Sequence, residues 1–243
     1  METTFYKFQS DLNFNPIQSG RSGYYHDKIT TRDFYAGELP LVLSFMEFHE
    51  TPAIADFHEI GSSFESLNTF VVSPKFKQVL EQMVLPLHRF YPADIYGNGL
   101  GITQGYFLFH FLYDFFQEID YSQSQFAEHW FGAYDEERYI YEQFFNALKK
   151  GEIKDKESFD YRLFNETQKK GDSGSIFPLA LKLKQYYDVV SMYGSIYFSE
   201  RAKQMVEDKQ LTGTYFKPYN PEAPLHSIEY IPKMTAEMMP IGN

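Results

Sequence analysis

Chemistry in this chain would first be sought at its histidines. His49-Glu50 and His58-Glu59 repeat a His-Glu pair, with Asp56 between them. Imidazole nitrogens and carboxylate oxygens are zinc ligands, so a strand and a loop that gathered these side chains would hold a metal. A helical zinc site needs two histidines four apart on one helix face, with a glutamate beside them, and that spacing is absent. The expectation is no metal site and no catalytic residue. The same histidines and carboxylates define the enzymatic alternative, a small-molecule hydrolase. Gly97, Gly99 and Gly101 would let backbone N–H groups approach a phosphate, but Ile102-Thr103 stands where a P-loop carries Lys and Ser/Thr. A strand-like aromatic run follows, where a dinucleotide fingerprint would open a helix. The glycines therefore read as a turn between strands, and no cofactor is expected. Neither Ser73 nor Ser199 has the glycine surround of a nucleophile elbow. Asp135-Glu136-Glu137 lies among Tyr134, Tyr139 and Tyr141. Acids beside aromatic anchors suit a basic protein partner, and equally the first turn of a helix. The candidate partner-binding residues are Tyr134, Asp135, Glu136, Glu137 and Tyr139.

The elements that would position such groups carry an internal repeat. Residues 70–92 (FVVSPKFKQVLEQMVLPLHRFYP) align without a gap on 196–218 (IYFSERAKQMVEDKQLTGTYFKP). The identical columns are Ser73/Ser199, Lys77/Lys203, Gln78/Gln204, Glu81/Glu207, Leu85/Leu211, Phe90/Phe216 and Pro92/Pro218. Each copy opens with a β-prone apolar run, Phe70-Val71-Val72 or Ile196-Tyr197-Phe198, and a serine follows. Serine is a favoured helix N-cap because its hydroxyl accepts a bond from an otherwise unpaired backbone N–H. Pro74 then occupies the one helical position that welcomes proline; Glu200, in the other copy, suits the helix dipole. Phe76, Val79, Leu80 and Met83 form the stripe of a half-buried helix, and Ala202, Met205 and Val206 repeat it. Pro86 and Gly213 close the helices. A short strand ends each copy, Leu87 to Tyr91 and Thr214 to Lys217. The fold class expected is α+β: a mixed sheet system holding two related strand–capped helix–strand elements, at about 70–92 and 196–218.

The chain has 243 residues, 43% of them hydrophobic and 19% aromatic, with 25 Phe and 20 Tyr. That supplies ample core and favours sheet-rich packing. Cysteine is absent, which excludes disulfides and thiolate metal sites. The formal charge of −11 argues against nucleic acid and suits a basic partner. Met1-Glu2-Thr3-Thr4 lacks the basic and apolar regions of a signal peptide. The apolar stretch from Tyr106 to Phe116 is too short to cross a bilayer. A cytoplasmic, soluble location is the expectation, with no membrane partner. Oligomeric state is not readable.

Turn signals break residues 1–60 into strands and loops, with Leu41 to Phe48 the best strand. Gly61-Ser62-Ser63 forms a joint, which gives an expected division into 1–62, 63–218 and 219–243. Tyr106 to Tyr113 reads as a buried strand. Asp135 to Lys150 reads as a helix, because Ile140, Phe144, Ala147 and Leu148 share one stripe and Lys149-Lys150-Gly151 mark an end. Glu152 to Lys170 reads as a second helix with loops, Asp172 to Ser175 as a loop, and Leu179 to Lys184 as a one-sided strand. Tyr186 to Met192 leads into the second repeat. After Tyr219, four prolines suggest an irregular tail on the surface.

The closing segment resembles that of the bacterial polymorphic-toxin immunity proteins typified by a myxobacterial immunity domain. Those proteins end in an apolar strand, Ser-Glu-Arg, an amphipathic helix, a Leu-Thr-Gly turn and an aromatic strand ending near proline. The matching residues here are Ser199-Glu200-Arg201, Leu211-Thr212-Gly213, Tyr215-Phe216 and Pro218. Val72-Ser73 is similar to the family's earlier valine-serine helix start. YFLFHFLYDFFQEIDYSQS is similar to its aromatic strand followed by an acid and a serine, here Asp120 and Ser124. LALKLKQYYDVVSM is similar to the strand and turn before the closing motif. The similarity covers roughly 65–218 but not 125–175, and the first sixty residues also fall outside it. It implies a protein that neutralises a co-encoded toxin by binding it, in the cell that makes both, without enzymatic activity. The net charge suits a basic, nuclease-like toxin.

Overall fold

The computed structural model describes residues 2–10, 43–48, 55–59, 69–97, 101–135, 140–170, 172–192, 195–218 and 233–237. In chain order the strands are β1 Glu2–Ser10, β2 Leu43–Phe48, β3 Phe57–Glu59, β4 Thr69–Val72, β5 His88–Gly97, β6 Gly101–Phe111, β7 Gln125–Asp135, β8 Ile140–Ala147, β9 Asp172–Lys182, β10 Val189–Met192, β11 Ser195–Ser199, β12 Thr214–Lys217 and β13 Lys233–Glu237. The α-helices are α1 Pro74–Leu80, α2 Lys156–Tyr161 and α3 Glu200–Asp208, and α2 runs into a π-helical turn, Arg162–Thr167. This is an α+β chain of mixed sheet with few helices. It forms two compact units that interleave along the sequence: Met1–Phe5, Asp114–Tyr186 and Tyr219–Asn243 in one, Tyr6–Tyr113 and Tyr187–Pro218 in the other. No helix among the described residues is long and apolar enough to cross a membrane.

The unit built from residues 6–113 and 187–218 contains both copies of the repeat. One sheet runs in the order β2-β5-β6-β4-β3, antiparallel except where β2 meets β5. Gly97 faces Gly101 across the glycine-rich connection of the β5–β6 hairpin. The second copy lies elsewhere: β11 pairs with β10, and β12 pairs with β1. The two copies therefore do not share one sheet, as their sequence similarity suggested. The first strand of one copy, β4, lies between β3 and β6, and that of the other, β11, lies between β10 and β1. Phe76, Val79 and Leu80 of α1 and Ala202 and Val206 of α3 turn into one core with Phe8, Phe57, Phe70, Phe109 and Phe198. Phe8 lies between Phe57 and Phe198, at ring-centroid separations of 4.4 and 4.3 Å. Aromatic side chains bury large areas and gain further from such tilted contacts, so the high phenylalanine content serves this core.

The unit built from 1–5, 114–186 and 219–243 is a sheet in which β9 lies between β13 and β7, with β8 beyond β7. Three expectations fail here. The segment 135–150 is no helix: β7 runs through Asp135 and β8 occupies Ile140–Ala147, antiparallel to it, with Trp130 opposite Phe144 and His129 opposite Phe145. The apparent helical stripe was coincidental. Tyr141, Phe144 and Phe145 are strand formers, and pairing with an aromatic neighbour strand outweighs a weak local preference. Asp172 to Ser175 is no loop but the start of β9, held opposite Phe131 and His129. Nor is all of the stretch after Tyr219 a surface tail. Lys233–Glu237 is a strand between β1 and β9, with Met234 and Ala236 fully buried. Prolines flank that strand without entering it, so nothing removes its ladder donors.

Candidate functional site

The serines that open the two repeat copies belong to a brace between them. Ser73 Oγ accepts from Phe76 N at 3.1 Å and donates to Asp56 Oδ1 at 2.6 Å. Ser199 Oγ accepts from Ala202 N at 3.1 Å and donates to Asp188 Oδ1 at 2.9 Å. Each serine N–H also donates to the carbonyl of the same aspartate, at 2.8 Å in both copies. The second carboxylate oxygen then crosses to the other copy. Asp56 Oδ2 accepts from Thr212 N at 2.9 Å, and Asp188 Oδ2 accepts from Val84 N at 2.7 Å. The cations cross in the same way. Lys75 Nζ donates to Gln210 O, and Arg201, paired with Asp188, donates to Gln82 O, both at 3.3 Å. Gly213 has φ +77°, and a Cβ there would lie 2.6 Å from both the Phe57 carbonyl oxygen and the Ala55 methyl. Only glycine fits such a left-handed, crowded position. Ser199, Arg201, Thr212 and Gly213 thus have structural roles; Ser199 and Gly213 are buried, Arg201 is half-buried and Thr212 is exposed. The sequence pointed to Asp56 only beside the His-Glu pairs and not to Asp188, because the aspartate stands at different distances before its serine in the two copies.

A different set of residues faces solvent. In the unit carrying β7–β9, a helical excursion leaves the sheet after β8 and returns at β9. Asp155 caps α2 by accepting from Ser158 N, and the Ser158 hydroxyl accepts from Asp155 N in return, a reciprocal arrangement that fixes a helix start. Glu128 of β7 pins the far end. Its carboxylate is fully buried and accepts from Arg162 Nε at 3.1 Å, Lys170 Nζ at 2.7 Å, Asn146 Nδ2 at 2.9 Å and Thr167 Oγ1 at 2.9 Å. Burial pushes this carboxyl's pKa up, but the four donors together outweigh it and hold it down to about 2. Gly174 completes the anchor, since a Cβ there would stand 2.3 Å from the Thr167 carbonyl oxygen.

The anchored excursion presents Tyr161 and Phe164, exposed by 60% and 57%. With Lys156, Glu157, Asp160 and Asn165 they line a surface depression. On the neighbouring hairpin, Tyr141, Phe144 and Phe145 of β8 are also exposed. Phe144 stacks on Trp130, and the Lys170 ammonium lies 5.0 Å from that indole, so the excursion and the hairpin are joined through side chains. On the opposite sheet face, buried His129 stacks on Phe145 and bridges Ser175 and Gln143 at 3.3 and 3.2 Å. Three rings enclose that imidazole, those of Phe131, Phe145 and Phe177. The arrangement ties three strands together.

Of the residues singled out for partner binding, Tyr134 and Asp135 end β7, opposite Tyr141 and Ile140. Glu136, Glu137 and Tyr139 lie outside the described residues. Sequence patterning missed Phe144, Phe145, Tyr161 and Phe164; an amphipathic reading assigns aromatic side chains to the core by default. His58 is buried against Tyr106, and burial lowers its pKa to about 4, with the Ala55 backbone and Asp56 opposing. It is therefore a neutral core imidazole at ordinary pH. His49 and Glu50 lie outside the described residues, and among the described residues no group of three His, Asp or Glu side chains is placed to hold a metal ion. Compared with known proteins, the chain matches no family model, and no curated protein matches it at a significant level.

Proposed function

We propose that this protein is an immunity protein that binds and neutralises a co-encoded bacterial toxin in the cell that makes both, by covering the toxin's active surface and without catalysis of its own. One observation carries the reading. Tyr141, Phe144, Phe145, Tyr161 and Phe164 are exposed together on the 140–164 stretch, whereas Tyr215 is the one comparably exposed aromatic elsewhere among the described residues. Exposed aromatics on rigid supports are the usual anchors of tight protein interfaces. That stretch falls inside 125–175, the part of the chain that the family resemblance does not cover. The resembling residues instead build two related strand–capped helix–strand elements, a common frame. A shared frame with a divergent aromatic surface is what a set of binders with different partners requires. The chain's charge of −11 favours a basic partner and speeds its capture.

Co-expression with the product of the adjacent gene tests this. The expected result is rescue of the growth defect and recovery of both chains together from a pull-down. A variant carrying both Tyr161→Ala and Phe164→Ala should lose at least tenfold in affinity at an unchanged melting temperature. Full toxicity in the presence of the folded wild-type protein would remove the proposal.

A further inference from the structure

The mode of partner capture follows from the edge of the sheet. Among the described residues β8 ends the strand order and pairs with β7 alone. Gln143, Phe144, Phe145, Asn146 and Ala147 are all exposed, so both faces of the strand are open along this run. Leu148 N donates to Phe126 O at 2.9 Å, which fixes the phase of the ladder. Successive amides of a strand point to opposite sides. Asn146 and Phe144 therefore turn their amides toward β7 as Leu148 does, and Gln143 and Ala147 turn theirs away from it. Natural edges are ordinarily blunted with lysine or proline, and β8 has neither. An outward row of N–H and C=O groups selects its occupant by shape: an extended segment, since only an extended backbone matches the spacing.

Charge selects which extended segment. Within β8 the one charged residue is Glu142, in a chain whose formal net charge is −11. A second copy of this chain would add −11 to −11, whereas a lysine- or arginine-bearing strand would be attracted. We propose that the outer edge of β8 takes up an extended basic segment of the partner protein as an added strand, with Phe144 and Phe145 packing its alternate side chains on the two faces. The proposal rests on the binding function argued above and gives that function its geometry.

The test uses the full chain and a twelve-residue synthetic peptide alternating lysine with valine, with an otherwise identical glutamate–valine peptide as control. Amide signals are followed by NMR during titration. The expected result is shifts centred on residues 141–147 with the lysine peptide, and at least tenfold weaker binding of the glutamate peptide. Gln143→Pro, which deletes an outward donor at an edge position that tolerates proline, should weaken the lysine peptide at least tenfold. Gln143→Ala keeps the backbone donor and removes the same side-chain bond to His129 that the proline variant removes, so it is the matched control and should stay within twofold. If Gln143→Pro does not fold, Ala147→Pro against Ala147→Val makes the same comparison. Shifts centred elsewhere, no binding, equal binding of the two peptides, or equal losses in the proline and side-chain variants would each overturn strand addition. So would sedimentation showing that β8 pairs with a second copy. No toxin is present in this experiment, so strand addition can fail while growth rescue succeeds, and the reverse.

Discussion

Ser199 and Asp188 show how much depends on single side chains. Ser199→Ala removes one helix cap and should cost about 1 kcal/mol, read as a shift in denaturation midpoint. Asp188→Ala should cost more, about 3 kcal/mol, because it strips a fully buried acceptor from Ser199 Oγ, Val84 N and Arg201 together. Equal costs for the two would contradict the cross-copy brace. The helix starts were legible because serine followed by proline or glutamate is local information. The aspartates were not, because each meets its serine only after the chain has folded a hairpin between them. His58 and His110 give a pH dependence. Burial lowers both to about 4, helped at His110 by the nearby Arg89 charge. The unfolded chain takes up these protons first, near the ordinary 6.5, so stability present above that pH is lost as pH falls toward 4. The melting temperature should decline over this window, and His58→Phe should flatten the decline. An unchanged slope in that variant would show that His58 does not carry it.

At the scale of elements, the excursion α2 and its π-helical turn stand or fall with two contacts. Gly174→Ala places a methyl against the Thr167 backbone and should destabilise by more than about 1 kcal/mol. Glu128→Gln should cost about 3 kcal/mol, since it leaves Arg162 and Lys170 without their buried countercharge. Faster amide exchange over 156–167 should accompany both changes, with exchange at α3 unaltered. A uniform increase over the chain would instead mean that the excursion has no separate anchor. The strand β8 and the strand β13 were the elements that sequence reading misjudged. Spacing of Ile140, Phe144 and Ala147 suits a helix as well as a strand, and only β7 across the ladder decides between them. Three residues of β13, Lys233, Met234 and Thr235, pair in parallel with Ala180, Leu181 and Lys182 of β9, and no local pattern encodes so distant a partner.

On the scale of the whole chain, the parts that form the two repeat copies and the parts that expose aromatic side chains are different parts. The first hold the two repeat copies to each other through exposed and half-buried polar contacts. The second display Tyr141, Phe144, Phe145, Tyr161 and Phe164 on an anchored hairpin and excursion. Composition made the aromatic supply and the acidic charge legible, but not which rings stay outside, because exposure depends on what the sheet leaves uncovered. The division of labour is tested most directly by hydrogen exchange on the complex that the proposed function requires, between the full chain and the product of the adjacent gene. Binding should protect amides over 140–147 and 156–167 and leave 199–213 unchanged. Protection confined to 199–213, with 140–167 exchanging as in the free protein, would contradict it.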